Sequence, residues 1–201
     1  MQSKKELEVA LSKLEQVTNP NPNLEQYQTP SDIAAKILWF ASLHNDTQEK
    51  IIADLGCGNG IFGIGASLLG AKKIFFVDTE GNSINATKKN ISLAKIRNSI
   101  ILHQPVTSFI QKVDTVFQNP PFGVQKPHAD REFLIQAMNV AKKIYSIHKK
   151  ESEGFVRALT REHNFAIEGT IPFKFQLKRT QPFHTKETYT VEVNCFILAR
   201  L

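Results

Sequence analysis

The sequence predicts a single α/β domain: a mostly parallel seven-stranded sheet covered by helices on both faces, with an antiparallel hairpin at its end. Three observations carry this expectation. From Lys50 onward, short runs of β-branched and aromatic residues alternate with amphipathic stretches, as in parallel strands joined by crossover helices. A glycine-rich turn closes the first run and leads into a helical segment. The last two runs have no helix-length segment between them, so they pair antiparallel. At 201 residues the chain supplies one ordinary domain with a full core. It is expected to form one unit over 1–201, with a helical cap over 1–45 and an α/β core over 46–201.

Taken in order, Leu7, Ala10, Leu11, Leu14 and Val17 recur at helical spacing and predict an amphipathic opening helix. The segment "NPNPN", Asn19 to Asn23, interrupts it with prolines and turn-forming asparagines. "TPSDIAAKILWFASL" restarts a helix, with Thr29 as its cap, Pro30 in the first turn, Asp32 three residues after the cap, and Ile33, Ile37, Leu38 and Ala41 as its apolar stripe. Strands follow at "KIIADLG", "KKIFFVD", "NSIILHQ", "VDTVFQN" and "KIYSIHK". Helical segments lie between them at Ile61 to Leu69, Ser83 to Ala94 and Glu132 to Ala141. "FAIEGTIPFKFQLKRT" and "ETYTVEVNCFILARL" supply the closing hairpin.

Composition narrows the class. Hydrophobic residues make up 41% and charged residues 22%, as in globular proteins. No apolar run approaches the roughly 18 residues a membrane helix needs, and the N-terminus lacks the apolar core of a secretory signal. A soluble protein without membrane association, in the cytoplasm, is the expectation. Cys57 and Cys195 have no metal-ligand spacing around them, so neither a disulfide nor a zinc site is expected within the chain. The net charge of +6 favours an anionic partner such as nucleic acid.

In "ADLGCGNGIFGIGASLLGA", Gly56, Gly58 and Gly60 permit a tight turn and close ligand approach. The following helix N-terminus presents free N–H groups. Asp78 ends the next strand about 20 residues on, where a carboxylate accepts hydrogen bonds from both ribose hydroxyls. A nucleoside-containing ligand fits this pair. The G-x-G-x-G spacing lacks the third glycine of a dinucleotide fingerprint. Cys57, inside the turn, has no histidine placed nearby in sequence to activate it and reads as a small packed residue.

"FQNPPFG", Phe117 to Gly123, follows the fourth strand. In a parallel sheet its start lies on the same edge as the glycine turn. The Asn119 side-chain carbonyl and the Pro120 backbone carbonyl are two acceptors that can converge on one amine. Pro121 stiffens the segment, and Phe122 offers a face on which a planar base stacks.

Gly56, Gly58 and Gly60 preceded by Asp54 resemble motif I of the class I S-adenosylmethionine-dependent methyltransferases, a Rossmann-like fold, and "FFVD" resembles their acidic second motif. "NPPF" resembles the motif of methyltransferases that act on exocyclic or amide nitrogens. Together with "LEQYQTP" and "YSIHK", these segments resemble the enzymes that methylate N6 of an adenine in small-subunit ribosomal RNA of archaea and eukaryotes. The resemblance spans nearly the whole chain. It implies S-adenosyl-L-methionine as cofactor, ribosomal RNA as substrate, and the cap over 1–45 as a cofactor-closing segment. Gln26 and Thr29 would close over the cofactor. Gly56, Asn59 and Ile61 would line its amino-acid side, Asp54, Gly58 and Gly60 would bind it in the same turn, and Asp78 would hold its ribose. Asn119, Pro120, Pro121 and Phe122 would hold the target adenine. After the third strand such enzymes place an acidic residue against the cofactor's adenine amine. Pro105 stands there in this chain, which leaves Gln104 or the backbone near Val106 for that contact. The resemblance also implies a small zinc-binding activator subunit of the Trm-one-one-two type added at a sheet edge. Formation of a homo-oligomer is the competing way to cover that edge.

Lys126, His128 and Arg131 follow the "NPPFG" segment as candidate substrate-binding residues, and Lys174, Lys178, Arg179, His184 and Lys186 surround the final hairpin. Tyr27 is equally readable as a packing residue or a substrate contact, whereas His148, a lone strand-end histidine, reads as a satisfied structural residue ahead of a substrate contact. Two other readings stay open on the sequence. One keeps the chemistry on a DNA adenine or a protein glutamine; the other is a catalytically silent RNA-binding assembly factor.

Overall fold

The β-branched and aromatic runs become strands of one sheet. The computed structural model describes residues 1–18, 28–122, 129–178 and 188–201. Its strands are β1 (Ile51–Leu55), β2 (Lys73–Asp78), β3 (Ser99–His103), β4 (Thr115–Gln118), β5 (Lys143–Lys149), β6 (Phe165–Lys178) and β7 (Thr188–Arg200). They form a seven-stranded sheet in the order β3-β2-β1-β4-β5-β7-β6. β1 pairs in parallel with both β2 and β4, β2 with β3, and β4 with β5. β7 runs antiparallel to β5 and to β6. The hairpin expected from the sequence is therefore present, with β7 inserted between β5 and β6 so that β6 forms the edge.

The helices are α1 (Lys4–Leu11), α2 (Ser31–Leu43), α3 (Ile61–Leu68), α4 (Gly81–Leu93), α5 (Ala129–Val140) and α6 (Glu153–Glu162). Successive strand residues point to opposite faces of the sheet, and this divides the core in two. Ile74 and Phe76 join Ile52, Phe117 and Tyr145 in a cluster under α1, α2 and α3. Their neighbours Phe75 and Val77 join Leu55, Val116 and Ile144 in a second cluster under α5 and α6. The expected stripe of α2, Ile33, Ile37, Leu38 and Ala41, is buried in the first cluster.

Two helix boundaries differ from the sequence pattern for tertiary reasons. α1 ends at Leu11, with Ser12 as its C-cap, although Leu14 and Val17 are also buried. Beyond it the chain tightens, the Leu14 N–H donating to the Leu11 carbonyl at 3.2 Å. The Glu15 backbone is then held by α4: its N–H donates to Asn90 Oδ1 at 2.8 Å, and its carbonyl accepts from Asn90 Nδ2 at 2.9 Å. Continued helix would forfeit these bonds. Thr29 does not cap α2; Pro30 occupies the cap position without a side-chain bond, and the Thr29 hydroxyl is used elsewhere.

α3 lies close to β2 because Gly63 has no side chain. A Cβ there would sit 2.3 Å from Phe76 Cε1 and 2.9 Å from Ile74 Cγ2. Gly63→Ala is therefore expected to lower stability by about 1–3 kcal/mol through overpacking, against alanine's better helix propensity. A lower melting temperature than wild type checks this.

Candidate active site

In the order β3-β2-β1-β4-β5, connections from β1 run toward β3 and those from β4 run toward β5. The switch point falls between β1 and β4, where ligands of open α/β sheets bind beyond the carboxyl ends of the strands. Leu55 pairs with both Val77 and Gln118, so the glycine turn, Asp78 and Asn119 leave the sheet side by side.

Gly56, Gly58 and Gly60 all have positive φ, at 67, 57 and 82°, in the left-handed region that side chains disfavour. The turn is held from outside. The N–H groups of Gly56 and Cys57 donate to the Val77 carbonyl at 2.8 and 3.0 Å. Thr87 Oγ1 donates to the Gly58 carbonyl at 2.9 Å, and Asn90 Nδ2 to the Asn59 carbonyl at 2.9 Å. A Cβ on Gly56 would meet the Phe133 ring at 2.8 Å, whereas one on Gly58 would meet nothing within 4 Å. Phe133 thus covers one side of the turn while Gly58 stays open.

Asp78 Oδ2 accepts from the Gly58 N–H at 2.9 Å, and Oδ1 accepts from the Glu80 N–H at 2.9 Å. Each oxygen keeps acceptor capacity for a further donor. Burial raises its carboxyl above the ordinary range despite these bonds. Asp54, 1% exposed, lies at the start of α3, where its Oδ2 accepts from the Gly63 N–H at 2.8 Å and meets the positive end of the helix dipole. Burial is the main cause that pushes its carboxyl up to about 8; the Gly63 N–H opposes this, and the charge of Asp78 adds to it. Burial also drives the Cys57 thiol well above its ordinary range, consistent with a packed residue.

On the β4 side, Asn119 Nδ2 donates to Thr29 Oγ1 at 3.1 Å. This bond orients the planar amide and joins the start of α2 to the end of β4. Phe122 packs against the first core cluster, its ring centroid 6.4 Å from that of Phe175, with Lys149 Nζ 6.0 Å from its centroid.

The glycine turn, the strand-end acids and Asn119 surround a cavity of about 170 Å³ whose lining includes Thr29, Asp54, Gly56, Gly58, Asn59, Ile61, Asp78, Asn119 and Pro121, but neither Pro120 nor Phe122. Asn59 contributes to the lining while its Nδ2 donates to the Glu15 carbonyl at 3.2 Å. Gly60 caps α3, and Pro120 is buried. Val106 opens a 3-10 turn and packs in the second core cluster. The Gln104 N–H donates to the Asp78 carbonyl at 3.0 Å. Arg131 is exposed in the first turn of α5, and Lys174 is exposed on β6. Gln26, Tyr27, Lys126, His128, Arg179, His184 and Lys186 lie outside the described residues. The cavity also has walls that sequence spacing did not reveal: Val17, Gln28, Glu80, Ser83 and Phe133. Glu80, two residues beyond the strand-end acid, had the only readable signal.

Residues 34–120 match the family of ribosomal protein L11 methyltransferase (PrmA). The chain is 34% identical over 212 residues to an uncharacterized protein of Methanocaldococcus jannaschii, covering 100% of this chain and 96% of that one. It is 30% identical over 199 residues to the rRNA N(6)-adenosine-methyltransferase METTL5 of Danio rerio, covering 94% of this chain and 95% of the relative. Among solved structures, a Pyrococcus horikoshii protein described as a candidate RNA methyltransferase superposes with a TM-score of 0.93 at 35% identity, over 100% of this chain and 99% of that one.

The raised Asp54 carboxyl makes a pH prediction. An unfolded chain loses this proton near 3.8, whereas the native chain holds it to about 8. The group's stabilising contribution is therefore full below the lower value and is lost progressively as pH rises to the upper one. Asp54→Asn keeps an acceptor for Gly63 and removes the titration. Its melting temperature in the ligand-free state, relative to wild type, is expected to climb between about pH 5 and about pH 8 and then level. A difference independent of pH would contradict a native Asp54 that holds its proton.

Proposed function

Because the chain belongs to the METTL5 family of rRNA N6-adenosine methyltransferases, we propose that it transfers the methyl group of S-adenosyl-L-methionine to the exocyclic N6 amine of an adenine in ribosomal RNA. The observation that carries the reading is the juxtaposition of the Asp54, Gly58 and Asp78 turn with Asn119 around one cavity. The small subunit is the proposed source of the RNA, and the cytoplasm the proposed place of action. No helix among the described residues is long and apolar enough to cross a membrane.

The cavity suits the cofactor. Open backbone at Gly58 accepts close approach, the Asp78 oxygens have capacity left for ribose hydroxyls, and Asp54, Asp78 and Glu80 together favour a ligand bearing cationic groups. Val17, Gln28 and Thr29 on its wall support a closing role for the segment over 1–45. When bound, the cofactor supplies a methyl group activated by sulfonium charge.

An adenine amine is a weak nucleophile because its lone pair is conjugated with the ring. The protein's task is therefore orientation. Thr29 orients the Asn119 amide through its nitrogen end; the amide carbonyl is the acceptor for one N–H of the amine, and the Pro120 carbonyl for the other. Two such bonds favour a pyramidal nitrogen and so help the transition state more than the ground state. Phe122 stacks on the base. An adenine within a helix must first be turned out of its stack. Exposed Arg131 and Lys174, and Lys36, whose Nζ lies 4.9 Å from the centroid of the Phe173 ring, offer cationic and aromatic contacts to a nucleic-acid strand.

Among the described residues, β3 pairs with β2 alone and forms one edge of the sheet. Ile100 on that strand is 37% exposed. We propose this edge as the seat of the small zinc-binding activator subunit, by strand addition. Ile100→Lys is expected to abolish co-elution with that subunit. Unchanged co-elution would overturn the assignment, and concentration-dependent dimers would point to a second copy.

The catalytic reading predicts that Asn119→Ala lowers methyl transfer to deproteinised small-subunit RNA by at least about 100-fold, as loss of a group that orients the reactants requires. The melting temperature stays near that of wild type. Labelled methyl counted in the RNA, DNA and protein fractions checks the substrate class; label confined to protein would contradict it.

A further inference from the structure

The second face of the sheet carries a run of buried polar side chains that the steps above do not use. Gln118, Ser146 and His148 are 0, 0 and 1% exposed, beneath the same face as the apolar cluster formed by Leu134, Val156 and Phe196. Gln118 Nε2 lies 2.9 Å from Ser146 Oγ, Ser146 Oγ lies 2.6 Å from His148 Nε2, and His148 Nδ1 lies 3.7 Å from Asp130 Oδ2. An amide nitrogen only donates, so Ser146 accepts from Gln118. The order that runs the relay on to Asp130 has the Ser146 hydroxyl donating to His148 Nε2. The His148 Nδ1–H then faces the Asp130 carboxylate, at a distance suited to electrostatic orientation rather than a direct hydrogen bond. The His148 ring is further fixed edge-on to Phe196 at 6.0 Å between centroids.

The ends of this relay are informative. Gln118 is the last residue of β4 and directly precedes Asn119, while Asp130 lies in the first turn of α5. The relay therefore joins the chain entering the "NPPFG" segment to the first turn of α5. Gln118 Oε1 is buried with no hydrogen-bond partner among the described residues, so Ser146 supplies the one side-chain hydrogen bond on that amide. A polar network in an apolar layer is no better for stability than well-packed apolar side chains of equal volume. Its distinguishing property is directional geometry, at the place where small displacements matter most.

We propose that His148, through Ser146 and Gln118 on one side and Asp130 on the other, is a positioning residue that clamps the β4 end of the Asn119–Phe122 segment to the first turn of α5 and sets where the acceptors for the target amine lie. This rests on the role of Asn119 proposed above. His148 does not touch the reacting atoms.

The test compares His148→Leu with His148→Gln, whose amide can still meet Ser146, at temperatures well below each variant's melting point. His148→Leu is expected to lower the single-turnover rate of methyl transfer by about 10- to 100-fold, with cofactor Kd and KM for RNA within about twofold of wild type, and His148→Gln to restore most of the rate. A rate that follows only the folded fraction, or a His148→Gln variant as slow as His148→Leu, would overturn the clamp and leave a packing role. A second readout is independent of activity. The side-chain amide resonance of Asn119 in ¹H–¹⁵N spectra is expected to shift and broaden in His148→Leu and return in His148→Gln, while backbone resonances of β1 stay in place. An unmoved Asn119 resonance overturns the clamp even if turnover falls. If Asn119→Ala is fully active while the resonance responds as expected, the clamp stands and the assigned role of Asn119 fails.

Discussion

The parallel pairing of β1 with both β2 and β4 is the constraint on which the rest of this molecule depends. It aligns Leu55 with Val77 and Gln118, so three chain segments far apart in sequence leave the sheet at one edge. The glycine turn, the Asp78 carboxylate and the Asn119 amide meet there without any long loop having to bring them together. The surrounding helices serve that edge. α3 approaches β2 through Gly63 and α2 through Gly65, where added methyl groups would collide with Phe76 and Leu38 respectively. α4 secures the turn through Thr87 and Asn90, and α5 lays Phe133 across Gly56.

Electrostatics then give the edge its chemical bias. Asp54 and Asp78 are both buried beside the same cavity, and each carboxyl is raised, chiefly by desolvation, with Asp78 adding to the shift at Asp54. Two neighbouring buried carboxyls do not both ionise readily without a cation. In the proposed reading, the ammonium and sulfonium groups of the cofactor supply that cation and favour the ionised pair. The cationic side chains of Arg131, Lys36 and Lys174 are exposed, in keeping with phosphate contacts at the surface.

Much of this was legible in the sequence because it depends on local pattern. Positive φ at Gly56, Gly58 and Gly60, the strand-end position of Asp78, the α/β alternation and the final antiparallel hairpin follow from residue type and spacing. What escaped depends on partners remote along the chain. Thr29 has the residue type of a helix cap, yet its hydroxyl is taken by Asn119, 90 residues away. α1 stops short of its apolar period because Asn90 holds the Glu15 backbone, 75 residues away. His148 could be read only as a lone strand-end histidine, since Ser146 is a neighbour of no known direction until β5 is formed and Asp130 becomes a neighbour only when α5 packs on the sheet. Phe133 and Ser83 reach the cavity through helix packing and carry no motif.

The central claim is that this edge methylates an adenine of ribosomal RNA at N6. It is tested most directly by mapping N6-methyladenosine across the ribosomal RNA of cells with and without the protein. The account predicts that one adenine loses its methyl group when the protein is absent and regains it when wild-type protein, but not Asn119→Ala, is restored. An unchanged ribosomal RNA methylation map, with methyl label transferred by the purified protein to another class of substrate, would contradict it.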